Sequence, residues 1–176
     1  MRPTFKWLAI TLAASAIGMA PLASAQAPIK LTLGHNAAPG NPKAEGGIKF
    51  AEIVKAKSNG RITVQLAGSA QLGEDLTMVS GMRTGTLDMS INSQGPVSSV
   101  VPELAALGLP FLFSSLPNAW QVLDGPIGQE LAKKLAAKDL ILLAFMDNGI
   151  RQTTNNKRPI VKPDDLKGLK IRTPAD

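Results

Sequence analysis

The chain has no cysteine and no tyrosine, a single histidine, and aromatic residues at only 4% of its 176 positions. Each scarcity excludes a class of function. Without cysteine there are no disulfides, no cysteine-ligated zinc sites, no thiol nucleophile and no lipid-modified cysteine. With His35 as the lone histidine, a histidine metal cluster or an HExxH zinc site cannot be assembled. A Ser-His-Asp triad would have to use His35, and nothing marks a partner serine. The phosphate-binding loop, the dinucleotide fingerprint and the Gly-x-Ser-x-Gly elbow are also missing. No cofactor is expected. The net charge of +6 is spread over scattered lysines without a basic run, so nucleic acid is not an expected partner. Few aromatics leave a core of Leu, Ile, Val, Met and Ala.

The N-terminus carries a targeting pattern. Arg2 and Lys6 provide a positive start, Trp7–Ala20 is free of charge, and Ala23-Ser24-Ala25 is a small-x-small cleavage site. The apolar run falls short of the roughly 20 residues that span a membrane, and Pro21 breaks it. Residues 1–25 therefore read as a signal peptide cleaved after Ala25, with the periplasm as destination. Removing 25 of 176 residues leaves 151, enough for one domain or one and part of another.

Alternating segments and helical periodicities then follow in order. Ile29–Leu33 and Arg61–Ala67 alternate as strands, and Leu87, Met89 and Ile91 as a third. Between them, Asn41-Pro42 opens a helix with Ile48, Phe50, Ala51, Ile53 and Val54 as its apolar stripe, ended by Asn59-Gly60. Glu74 and Asp75 open a second helix, which buries Met78, Val79 and Met82 and ends at Gly85. The order β-α-β-α-β predicts an α/β fold with a parallel sheet. Ligands bind such sheets beyond the carboxyl ends of the strands. Those ends are His35-Asn36, Gly73-Glu74-Asp75 and Ser93-Gln94, all polar, which is the convergence a small-molecule site requires. Glu74-Asp75 fits an acid/base pair, a metal site, a ligand-facing pair, or simply an acidic helix start. Further on, residues 101–113 read as a buried helical turn and an extended segment, with Phe111-Leu112-Phe113 in the core. Residues 114–138 read as a helix broken at Gly125-Pro126, burying Trp120, Leu123, Ile127, Leu131 and Leu135. Residues 139–146 read as a buried strand.

Two arginines close the chain. Arg151 follows Asn148-Gly149 and precedes a run of Gln, Thr and Asn; Arg172 ends the apolar stretch Leu169–Ile171 before Thr173-Pro174. A guanidinium is always charged, and its planar fork matches a carboxylate.

Six blocks in order carry a resemblance. They are GHN at Gly34–Asn36, SAQLGED at Ser69–Asp75, GTLDM at Gly85–Met89, LPFLF at Leu109–Phe113, NGIRQTTN at Asn148–Asn155 and LKGLKIRTP at Leu166–Pro174. Together they are similar to the periplasmic solute-binding proteins of TRAP transporters, the DctP family. The resemblance implies a periplasmic-binding-protein-like fold of two α/β lobes that clamp a carboxylate or dicarboxylate, not an enzyme. It implies a bidentate contact from Arg172 and a second from Arg151, with Asn36, Asp75 and Ser93 on the first lobe's side; His35 and Glu74, at the same strand ends, complete the candidate ligand-binding set. Some members have an acidic residue where this chain has Ser93, which leaves the identity of the acid open. The implied partners are the integral-membrane permease subunits. The expected division is 26–147 for the first lobe and 148–176 for the hinge crossing and the beginning of a second lobe. The chain stops at Asp176, so about the N-terminal half of such a protein is expected, with uncovered sheet edges. A module linked to a sensor receptor and an enzyme on the same scaffold are the rival readings.

N-terminal sequencing of periplasmic material should begin at Gln26. Recovery solely as a full-length membrane-bound form would contradict the cleavage site.

Overall fold

The computed structural model describes residues 27–149 and 152–172. The expected signal peptide, residues 1–25, and Arg151 lie outside the described residues. β1 (Ile29–His35), α1 (Pro42–Lys57), β2 (Ile62–Ala67), α2 (Asp75–Thr84) and β3 (Met89–Ile91) follow one another, with β1 between the other two strands. Both pairings are parallel, and Leu33 stands opposite Leu66 on one side and Met89 on the other. This is the expected βαβαβ arrangement.

Local chemistry accounts for the boundaries. The Asn41 side chain accepts the Lys43 N–H at 3.0 Å, and Pro42 opens α1 without needing a donor. Glu74 is the N-cap of α2, and Gly85 ends that helix at φ 76°, the left-handed region where a side chain would be strained. β3 is shorter than its alternation suggests. Leu87 is buried just before it, and Asp88 uses its carboxylate to accept the Thr32 N–H at 2.8 Å. A side chain thus supplies the acceptor that a longer β3 would have supplied from its backbone.

Helix α1 meets the sheet through part of the expected stripe, with Phe50, Ala51 and Val54 half-buried. Its buried residues are Lys43, Ala44 and Gly47, whereas Ile48 is 43% exposed and Ile53 is similarly open. A side chain added at Gly47 would sit 3.4–3.7 Å from Ile91, Leu66 and Leu33, one residue from each strand. Small residues let the helix lie close on the sheet at this point, and Ile48 and Ile53 are left at the edge of the contact. Ile48 and Ala51 instead line an open groove of about 340 Å³ with Lys55, Val64 and Leu66.

After α3 (Gln94–Ser98), a 3-10 helix (Pro102–Gly108) leads into α4 (Leu116–Leu123) and α5 (Pro126–Ala136). A second core forms here from Val79, Val101, Leu104, Leu131, Leu135 and Leu140. Four apolar expectations are corrected. Phe111 is fully solvent-exposed at 101%, held at φ 61° in a turn that points it away from the core. Trp120 and Ile127 are half-exposed, and α4 buries no residue. Residues 139–146 form no strand, because no described strand lies beside them to pair. Leu140 is buried, and Leu142 and Phe145 pack on the second core, yet Ile141 is 76% exposed. A final 3-10 turn (Pro163–Leu166) precedes Arg172.

The corner between α4 and α5 makes the sharpest packing demand. A Cβ at Gly128 would lie 1.6 Å from the Leu123 carbonyl oxygen, so only backbone movement could admit it. Gly128→Ala should therefore cost about 3 kcal/mol or more. Gly46→Ala is the contrast, since its Cβ would meet only the flexible tip of Met146, at 2.7 Å. That change also gains about 1 kcal/mol of helix propensity and should be near neutral. Equal urea midpoints for the two variants would refute the packing argument.

Candidate functional site

The strand ends of β1 and β3 and the starts of α1 and α2 meet at one buried lysine. Lys43, in the first turn of α1, is 7% exposed. Its ammonium donates to Ser93 Oγ at 3.0 Å and to Asn36 Oδ1 at 3.3 Å. It also lies 3.7 Å from Asp75 Oδ2. The same Asp75 oxygen accepts the Ser93 N–H at 3.0 Å. Asn36 passes the polarity outward, donating from Nδ2 to Glu74 Oε2 at 2.9 Å. The outcome is a connected chain of charge-assisted hydrogen bonds running from a buried cation to an exposed carboxylate.

Each member is placed by a local rule. Asn36 directly follows β1. Asp75 is the first residue of α2, where aligned peptide dipoles favour a carboxylate. Ser93 is the N-cap of α3. Lys43 runs against this rule, since a cation near a helix N-terminus is disfavoured. The Asp75 charge and two oxygen acceptors offset that penalty.

Four of the sequence-derived residues, Asn36, Glu74, Asp75 and Ser93, are therefore in one cluster. His35 is beside it in sequence but serves the adjoining loop. Its ring is buried against Gly68, where a Cβ would fall 2.7 Å from Cε1. The loop is tied down by Ser69 N–H to the Ala37 carbonyl at 3.1 Å and by Ala70 N–H to the His35 carbonyl at 3.2 Å. Ser69 and Ala70 adopt φ 53° and 59°, a strained pair of left-handed residues. Among the described residues, His35 makes no hydrogen bond to the Lys43 cluster, and no group of His, Asp and Glu converges to hold a metal.

Arg172 is exposed and makes no ion pair among the described residues. The nearby acids are otherwise engaged. Asp164 pairs with Lys167 at 2.9 Å. Asp165 accepts the backbone N–H groups of Val161 and Lys162, which hold its carboxyl below the usual range. Arg158 spends its donors on the carbonyls of Asp165 and Lys167, so it braces its own loop.

Lys43 was the residue that sequence reasoning missed. Its signal was present: a lysine two positions after the N-cap Asn41 sits where the helix dipole disfavours a cation, and such a residue needs a nearby anion.

Comparison with known proteins adds the following. Residues 33–176 match the model of the family described as DctP, bacterial extracellular solute-binding protein, family 7. Protein y4mM of Sinorhizobium fredii is 53% identical over 86% of this chain and 28% of its own length. The 2,3-diketo-L-gulonate-binding periplasmic protein YiaO of Escherichia coli is 38% identical over 71% of this chain and 37% of its own length. A TRAP periplasmic solute-binding protein from Polaromonas sp. JS666, solved bound to D-erythronate, superposes with a TM-score of 0.77 at 38% identity. That superposition covers 82% of this chain and 48% of the other. The chain thus spans about half, or less, of the length of these relatives.

Removing one partner of a buried ion pair strands the other without compensation, at about 3–5 kcal/mol. Lys43→Met should lose stability of that order in chemical denaturation. Adding Asp75→Asn to it should cost less than the two single losses combined, because the residues share one interaction. A Lys43→Met variant within about 0.5 kcal/mol of the parent would refute the central role given to this lysine.

Proposed function

Since the chain belongs to the DctP family of bacterial extracellular solute-binding proteins, we propose that it captures a small organic acid in the periplasm and passes it to the membrane permease of a TRAP transporter. The observation that carries this reading is the convergence of Asn36, Glu74, Asp75 and Ser93 on Lys43 at the carboxyl ends of a parallel sheet. That is where an α/β fold presents a ligand site. The cluster offers hydrogen-bonding groups and charge, which suits capture of a polar ligand.

Arg172 is the proposed carboxylate anchor, and Arg151 a secondary contact. Two things favour Arg172. Its guanidinium carries a permanent charge, and among the described residues the acids of its own segment are already committed, Asp164 to Lys167 and Asp165 to backbone N–H groups. A ligand carboxylate would supply the missing counter-charge through two parallel hydrogen bonds. Asn36, Glu74, Asp75 and Ser93 would then face the remainder of the ligand, with His35 supporting the loop that borders them.

The test is calorimetric titration of a panel of carboxylic acids, using protein purified from its native host and freed of bound ligand. Losing one partner of a desolvated charge pair costs about 2–5 kcal/mol, or roughly 30-fold to several thousand-fold in affinity. Arg172→Ala should show a loss in that range, Arg172→Lys an intermediate one, and Arg151→Ala a smaller one. Should Arg151→Ala alone abolish binding, the anchor is the other arginine. Should neither matter, carboxylate capture is the wrong reading.

A further inference from the structure

Resting on the proposed capture of an organic acid, we infer that Glu74 and Asp75 restrict this site to acids with one carboxylate and a hydroxyl-bearing tail, and exclude dicarboxylates. The argument counts hydrogen-bond donors and charges at the strand ends.

Lys43 is the only cation in the cluster, and it is buried against the protein's own oxygens. An ammonium carries three donors. Two acceptors bond this one, Ser93 Oγ at 3.0 Å and Asn36 Oδ1 at 3.3 Å, and Asp75 Oδ2 is its ion-pair partner at 3.7 Å. Its side chain is 8% exposed. Its charge is already paired with Asp75 and its ammonium is covered, so it is poorly placed to receive a second ligand carboxylate.

What remains unspent is mostly acceptor. Asp75 Oδ1 is buried without a hydrogen-bond partner, on a side chain 6% exposed. Glu74 is exposed, and only its Oε2 is engaged, by Asn36. One lysine against two carboxylates leaves the cluster with a net charge of −1. The dipoles of α1 and α2 do not reverse this. The cap of α1 is already filled by Asn41, and Glu74 and Asp75 themselves sit at the start of α2. A hydroxyl group can donate to Glu74 at no electrostatic penalty. A carboxylate placed there would meet like charge, a juxtaposition that costs affinity heavily. The ligand's single carboxylate must therefore lie at the other end, toward the arginine, and its tail toward β1 and α2 must be neutral and rich in donors.

D-Erythronate and succinate make a matched pair of probes, both four carbons long, one with hydroxyls and the other with a second carboxylate. Titrating both into ligand-free protein from the native host should give succinate at least roughly 100-fold weaker binding. Glu74→Gln keeps the acceptor for Asn36 but removes the charge, and should narrow that ratio about tenfold. Thermal unfolding of this exposed-site variant should match the parent. Succinate binding as tightly as D-erythronate would overturn the inference while leaving acid capture intact. A preference for D-erythronate that Glu74→Gln leaves unchanged would also overturn it, since the discrimination would then come from elsewhere. Binding of neither probe, nor of any other carboxylic acid in the panel, would bring down the underlying reading as well.

Discussion

The arrangement of the strand ends depends on one buried pair of charges, Lys43 and Asp75. Each belongs to a different helix, and the atoms they hold come from two further elements: Asn36 after β1 and Ser93 after β3. Taking an ammonium and a carboxylate out of water is costly, and an apolar pair of the same shape would often stabilise a fold as well or better. An apolar pair could not, however, fix the orientation of the Asn36 amide or hold the Ser93 hydroxyl and N–H at once. The pair is thus best understood as a positioning device. It turns three separate loops into one surface with a defined pattern of donors and acceptors.

Placement of the two charges on their helices supports this view. Asp75 sits where the α2 dipole welcomes it, but Lys43 sits where the α1 dipole opposes it. A lysine chosen for helix stability would be found at the other end, as Lys55 and Lys57 are. Lys43 is held against its local preference by tertiary partners. Local rules broken without local compensation are the places where a chain is serving something beyond its own folding.

The same contrast between local and tertiary rules explains what could be read from the sequence. Strand alternation, the Asn41-Pro42 helix start and the Gly85 stop are written in adjacent residues, and the elements they delimit stand where expected. The misplacements all concern which apolar residues find cover. Ile48 and Ile53 are left at the edge of the contact where Gly47 and Ala44 let α1 lie close on the sheet. Ile141 and Phe111 stay in solvent because no described element lies over them. Hydrophobicity says which residues gain from burial; it does not say that a partner surface is alongside. The site followed the same division. The rule that ligands bind beyond parallel strand ends pointed to Asn36, Glu74, Asp75 and Ser93, which lie together in one polar cluster. Lys43 escaped because its partners come from distant positions, 7 residues away in Asn36 and 50 in Ser93.

The blocks that carry the family resemblance do two kinds of work, and the structure separates them. In the GHN block, His35 packs under Gly68 while Asn36 joins the polar cluster. In SAQLGED, Ser69, Ala70 and Gly73 shape a loop with three positive φ values, whereas Glu74 and Asp75 face the strand ends. In GTLDM, Gly85 stops α2 and Asp88 completes the bonding of Thr32, and neither touches the cluster. A matching motif is therefore evidence for the scaffold first. The polar atoms that the scaffold leaves without a partner are fewer, and in this chain they include Oδ1 of Asp75. On the proposed reading, shared family membership points to where an acid would sit, and the balance of charge at these positions would decide which acid it can be.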